Sequence, residues 1–220
     1  MMAKRTIYLI RHGQYDPEVV DPRVSEEPLG SRLTATGQEQ AERTAQILVH
    51  VPFTAIYTSP LTRAVETAQV IARQHPRLHL QQSELLKEIT PPLPYIALKN
   101  LKDVSLEDIQ KDRIQADTAF HTFFRPAGDS DEYEALICHG NLIRYFVCRA
   151  LQISPLIWMN FETYNCSYSL VEIDPHGNMI LLSYNESGHL PEGLKTQNLS
   201  PMGIGEKNNE PEHEKEKGRV

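Results

Sequence analysis

Thr6-Ile7-Tyr8-Leu9-Ile10 is a β-branched and aromatic run that stops abruptly at Arg11-His12-Gly13. It reads as a buried strand that delivers polar side chains at its carboxyl end. Gly13 permits a tight backbone turn, which is expected to leave the His12 imidazole exposed in a crevice as a mount for a nucleophile. On its own such a tripeptide is more often a surface histidine beside an unrelated arginine. The pattern recurs, however: Glu134 to Cys138 is a strand candidate ending at His139-Gly140-Asn141. A helix follows, with Leu142, Ile143, Phe146, Val147, Ala150 and Leu151 on one face. Its first amides and positive dipole end are expected to hold a phosphate oxygen.

Working outward, Pro17, Pro22, Pro28 and Gly30 mark a long loop. Thr34, or Thr36 with Glu39 in a capping box, opens a helix predicted to reach about His50. Ala55 to Thr58 reads as a strand. Ser59-Pro60 then supplies an N-cap and a first-turn proline for a helix to about Gln74. That helix carries Arg63 in its first turn, where a guanidinium can fork onto phosphate oxygens. The competing reading makes Arg63 a solvated partner of Glu66. A short strand is expected at Leu78 to Gln82, an extended loop at Pro91, Pro92 and Pro94, and a helix at Leu106 to Phe124. Ser169 to Ile173 and Met179 to Tyr184 form a hairpin at one sheet edge. Alternating strands and helices predict an α/β fold: a three-layer α/β/α sandwich around a central, mostly parallel sheet, with ligands bound beyond the strands' carboxyl ends. Residues 1–199 are read as one domain. Residues 200–220 are too poor in apolar side chains to offset the entropy of ordering and are expected to be a disordered, charged tail.

A formal net charge of −7 argues against a nucleic-acid-binding surface, so any anion must meet local positive charge. Cys138, Cys148 and Cys166 form no CxxC pair and are odd in number, which fits free thiols in a reducing compartment. No apolar run approaches the roughly 20 residues that span a bilayer, and Arg11 closes the first apolar stretch too early for a secretory signal. These features predict a protein that is soluble, cytoplasmic and without a membrane partner. No HxH or HExxH cluster suggests a metal, and nothing suggests a cofactor. Ile153, Leu156, Ile157 and Trp158 offer either an exposed homodimer contact or core.

Four motifs in order, LIRHG, LTATGQEQA, TSPLTRAVETA and ICHGN, resemble the histidine-phosphatase (phosphoglycerate-mutase-like) superfamily over about residues 5 to 195. The resemblance implies a phosphate pocket of Arg11, Arg63 and His139, a nucleophile at His12 and an acid at Glu88. RHGQY, ICHGNLIRYFVCRALQ with Trp158 following, and GHLPEGLKT are similar to the superfamily's mitochondrial Ser/Thr protein phosphatases. Those carry an N-terminal membrane anchor and a multimerisation segment for which no counterpart is expected here. Family mutases carry ERxYG after the acid and an asparagine soon after RHG, where this chain has Ile89-Thr90-Pro91 and Glu18. The resemblance therefore implies hydrolysis, without a metal, of phosphorylated protein side chains (Ser/Thr or His), with small phosphomonoesters as the alternative. A phosphate-binding scaffold without turnover is the reading from another class, and the complete quartet of Arg11, His12, Arg63 and His139 speaks against it.

Overall fold

Both faces of the first strand are covered, which is why its apolar run does not alternate with polar residues. The computed structural model describes residues 3–20, 31–90 and 105–197. In it β1 spans Arg5–Arg11, β2 Tyr15–Val20, β3 Ser31–Leu33, α1 Ala35–Leu48, β4 Ala55–Thr58, α2 Thr62–Ala72 and β5 Leu80–Gln82. Then come α3 (Leu106–Phe123), β6 (Glu132–Cys138), α4 (Gly140–Ala150), β7 (Tyr168–Ile173) and β8 (Met179–Glu186). The main sheet has the order β5-β4-β6-β1-β7-β8. β1, β4, β5 and β6 are mutually parallel, and β7 runs against both β1 and β8.

Successive residues of the central strands feed opposite layers. Ile7, Leu9, Leu136 and Cys138 pack with Phe120, Phe123 and Phe146 of α3 and α4. Ile10, Ala135, Ile137 and Ile56 pack with Ala41, Ala45, Ala64, Ala68 and Ile71 of α1 and α2. The result is the expected sandwich with a mostly parallel sheet. All three cysteines are buried and free, so they act as small core hydrophobes.

Several local expectations need correction. The stretch read as loop after Gly13 contains β2, which pairs with β3 in a small separate sheet. Thr34 caps α1 by accepting the Gly37 amide, whereas Glu39 pairs with Arg43 one turn on, so the box based on Thr36 does not form. Trp158 is buried against Cys148 and is core, while Leu156 and Ile157 remain exposed. The loop around Pro91 and the tail from Ser200 onward lie outside the described residues.

Candidate active site

Register explains the convergence. Arg11 sits opposite Cys138 across the β1–β6 pair, and Thr58 opposite Ile137 across β4–β6, so the chain leaves three strands at one level. The ladder runs one bond further in both places, His12 N–H to Cys138 O at 3.0 Å and Ser59 N–H to Ile137 O at 2.9 Å. His12, His139 and Ser59 therefore meet at the carboxyl edge of the sheet, where open α/β sheets bind ligands. Ser83 N–H donates to Thr58 O at 2.9 Å, which brings the segment carrying Glu88 to the same edge.

The two imidazoles lie with ring centroids 5.0 Å apart. His12 Nδ1 is 2.8 Å from Gly13 O. A carbonyl only accepts, so Nδ1 carries the proton and Nε2 keeps its lone pair. Arg63, second residue of α2, reaches both rings: its Nε is 3.4 Å from His12 Nε2 and its Nη2 3.4 Å from His139 Nδ1. Glu66 bonds instead to Arg32 and to the Leu33 amide, so the reading of Arg63 as its partner is discarded. The Arg11 guanidinium is buried, donates to Thr163 O and lies under Gly140. Burial lowers its pKa to about 10, which leaves it charged at neutral pH.

Tyr15 packs edge-on to His12 at 5.4 Å, with the Arg63 guanidinium 4.5 Å from the Tyr15 ring centroid. His12 is thus 2% exposed, not open to the crevice as its strand-end position suggested. Burial first, then Arg63, His139 and Arg11, hold its pKa well below the ordinary 6.5. His139 is depressed likewise, by burial and then Arg63 and Arg11. Both rings are neutral near pH 7.

Glu88 follows the 3-10 turn Glu84–Leu86. Its Oε1 accepts the Ile89 amide at 3.1 Å and the Leu142 amide at 3.3 Å. The Leu142 amide, third in α4, is thus taken by this carboxylate. Burial raises the Glu88 pKa above the usual carboxylate value, against the opposing pull of the Ile89 amide, Arg63, Arg11 and the Asn141 amide. Its segment is pinned by α3, where Asp112 accepts the Thr90 amide at 2.7 Å and Gln115 donates to Lys87 O at 3.0 Å.

A second set of residues, missed from sequence, holds the His12 loop from behind. Thr67 accepts the Gly13 amide at 3.0 Å, Gln40 accepts the Gln14 amide at 2.8 Å, and Asn165 donates to His12 O at 3.0 Å. Gly13 is needed for close approach: a Cβ there would lie 2.6 Å from Gly37 O, and one on Gly37 would lie 2.0 Å from Gln14 O. Gly37→Ala is therefore expected to destabilise the fold by about 1–3 kcal/mol or more. That outweighs the roughly 1 kcal/mol that alanine gains inside a helix. Thermal melting checks it, and a midpoint at or above that of the parent would show the loop and α1 to be less tightly apposed.

The histidine phosphatase superfamily (branch 1) model matches residues 7–92 and 98–186. This chain belongs to that superfamily. It is 39% identical over 198 residues to the mitochondrial serine/threonine-protein phosphatase PGAM5 of Xenopus tropicalis, an alignment covering 86% of this chain and 67% of the relative. To the human protein of that name it is 34% identical over 194 residues, covering 86% and 65%. The chain thus spans about two thirds of the length of these curated relatives. Among solved histidine-phosphatase folds, a phosphoglycerate mutase from Plasmodium falciparum superposes with a TM-score of 0.59 at 30% identity, over 90% of this chain and 98% of that one. The expectation of a cytoplasmic protein is overturned by these relatives, which are mitochondrial by name. None of the described helices is long and apolar enough to cross a membrane.

Proposed function

We propose that this histidine phosphatase hydrolyses phosphomonoesters, without a metal, through a phosphohistidine on His12, and that its substrates are phosphorylated protein side chains. The observation that carries the chemistry is the tautomer lock. With Nδ1 committed to Gly13 O, the Nε2 lone pair of a neutral His12 faces the volume shared by Arg63 and His139. In-line attack forms the N–P bond as the P–O bond to the leaving group breaks, and Glu88 gives that alkoxide its proton. Water then attacks phosphorus, Glu88 takes its proton, the P–N bond breaks and His12 is restored. Arg11, Arg63 and His139 stabilise the charge on the equatorial oxygens, where hydrogen bonds and cations in a dry site are worth most.

The protein-phosphatase reading is supported by the relatives at 34–39% identity that carry that name. It predicts that kcat/KM for phosphoserine and phosphothreonine peptides exceeds that for 3-phosphoglycerate and free phosphoserine by about tenfold or more, since each 1.4 kcal/mol of added transition-state contact gives a factor of about ten. A screen of peptides, phosphohistidine and metabolites, run with a strong chelator present, measures this. Small esters turned over best would point to a metabolite phosphatase, and activity lost to the chelator would end the metal-free scheme.

A further inference from the structure

Ser59 is wholly buried, and its Oγ lies 2.8 Å from His139 Nε2. Nothing in its motif marks it as more than the residue before a helix, and the helix in fact starts three residues later with Leu61 as its N-cap. The other nitrogen of His139, Nδ1, faces Arg63 Nη2 at 3.4 Å. A guanidinium nitrogen only donates, so Nδ1 holds a lone pair and Nε2 holds the hydrogen. That hydrogen goes to Ser59 Oγ, which also accepts the Leu61 amide at 3.3 Å. Both contacts fall on lone pairs, of which a hydroxyl has two.

The consequence lies at Nδ1, the nitrogen aimed at the phosphate-binding Arg63. To donate to a phosphoryl oxygen it must first gain a proton, and a phosphomonoester bound as its monoanion brings one. Moving that proton from phosphate oxygen to Nδ1 leaves a dianion beside an imidazolium. The charge balance is unchanged, and the Nε2–H bond to Ser59 stays in place throughout. Resting on the phosphatase reading above, we propose that Ser59 is a positioning residue. By accepting the Nε2 hydrogen it fixes the orientation and tautomer of His139, so that Nδ1 is the atom that takes the substrate's proton and returns it as a hydrogen bond to the phosphoryl group.

The test begins with the parent protein. Nitrogen-15 NMR of histidine-labelled enzyme is expected to show His139 protonated at Nε2 alone, and at both nitrogens once inorganic phosphate is bound. Ser59→Ala is expected to lower kcat/KM by about tenfold to a hundredfold, the range for losing a hydrogen bond to a charged group. In its phosphate complex the second His139 proton should be lost at a pH lower than in the parent. Ser59→Thr, which keeps the hydroxyl, should restore the parental spectrum. An Nδ1–H tautomer in the parent, or an Ala variant whose His139 titrates in the phosphate complex as the parent's does, overturns the proposal. Phosphohistidine on His12 is still expected in Ser59→Ala; its absence from the parent would instead remove the phosphatase reading on which the proposal stands.

Discussion

His12→Ala is expected to yield a folded protein whose phosphomonoester turnover has fallen by about 10⁴-fold or more, the scale on which enzymes lose rate with their nucleophile. The fold should survive because the backbone at this position is held independently of the imidazole. Its amide donates to Cys138 O, its carbonyl accepts from Asn165, and the next amide goes to Thr67. The chemistry should not, since His139, the other buried imidazole here, turns Nδ1 to Arg63 and commits Nε2 to Ser59. Rapid quench of the parent should trap phosphate that is stable to base and labile to acid, and the variant should trap none. Turnover within about tenfold of the parent, in a variant with an unchanged melting profile, would remove His12 from the role of nucleophile.

The parts of this site that were legible in the sequence are those set by local pattern. Ile7 to Ile10 and Ala135 to Cys138 are apolar without alternation because helices cover both faces of their strands. A histidine after each then falls on the same sheet edge. What was not legible depends on tertiary register. Asn165 lies 153 residues from His12, yet its amide holds the His12 carbonyl, and Gln40 reaches both Gln14 and Leu194. Thr67 carries no local signal. Its hydroxyl proves useful because α2 lies against residue 13. The exposure expected for His12 was wrong because a strand end at a crevice is not an open surface once Tyr15 folds back over it. The sequence shows the dipole of the helix after His139 but not the carboxylate that takes its Leu142 amide. Glu88 itself was found through family likeness alone, since its position comes from a 3-10 turn anchored by Asp112 and Gln115 on α3, 22 and 28 residues from the groups they bind.

Because Glu88 bonds through Oε1 to two backbone amides, Glu88→Gln can keep both contacts with its amide oxygen and lose only the transferable proton. The leaving group then decides the size of the effect. A serine alkoxide is a strong base and needs the proton as it departs, so kcat/KM on a phosphoserine peptide should drop by about 10²- to 10⁴-fold. A p-nitrophenolate leaves unaided, and its ester should lose less than about tenfold. The pH profile carries the same signature with a definite sign. Phosphorylation of His12 needs that ring neutral and Glu88 protonated. The His12 pKa is held well below 6.5, so the acidic limb of kcat/KM falls below that pH. The Glu88 pKa is raised above 4.5, so peptide activity is lost on the alkaline side as pH climbs through that raised value. Glutamine does not titrate, so any alkaline limb left in the variant's residual peptide activity belongs to the proton that the substrate shares with His139. Equal losses on the two esters would leave Glu88 as a cap for α4 and place the proton donor on another group.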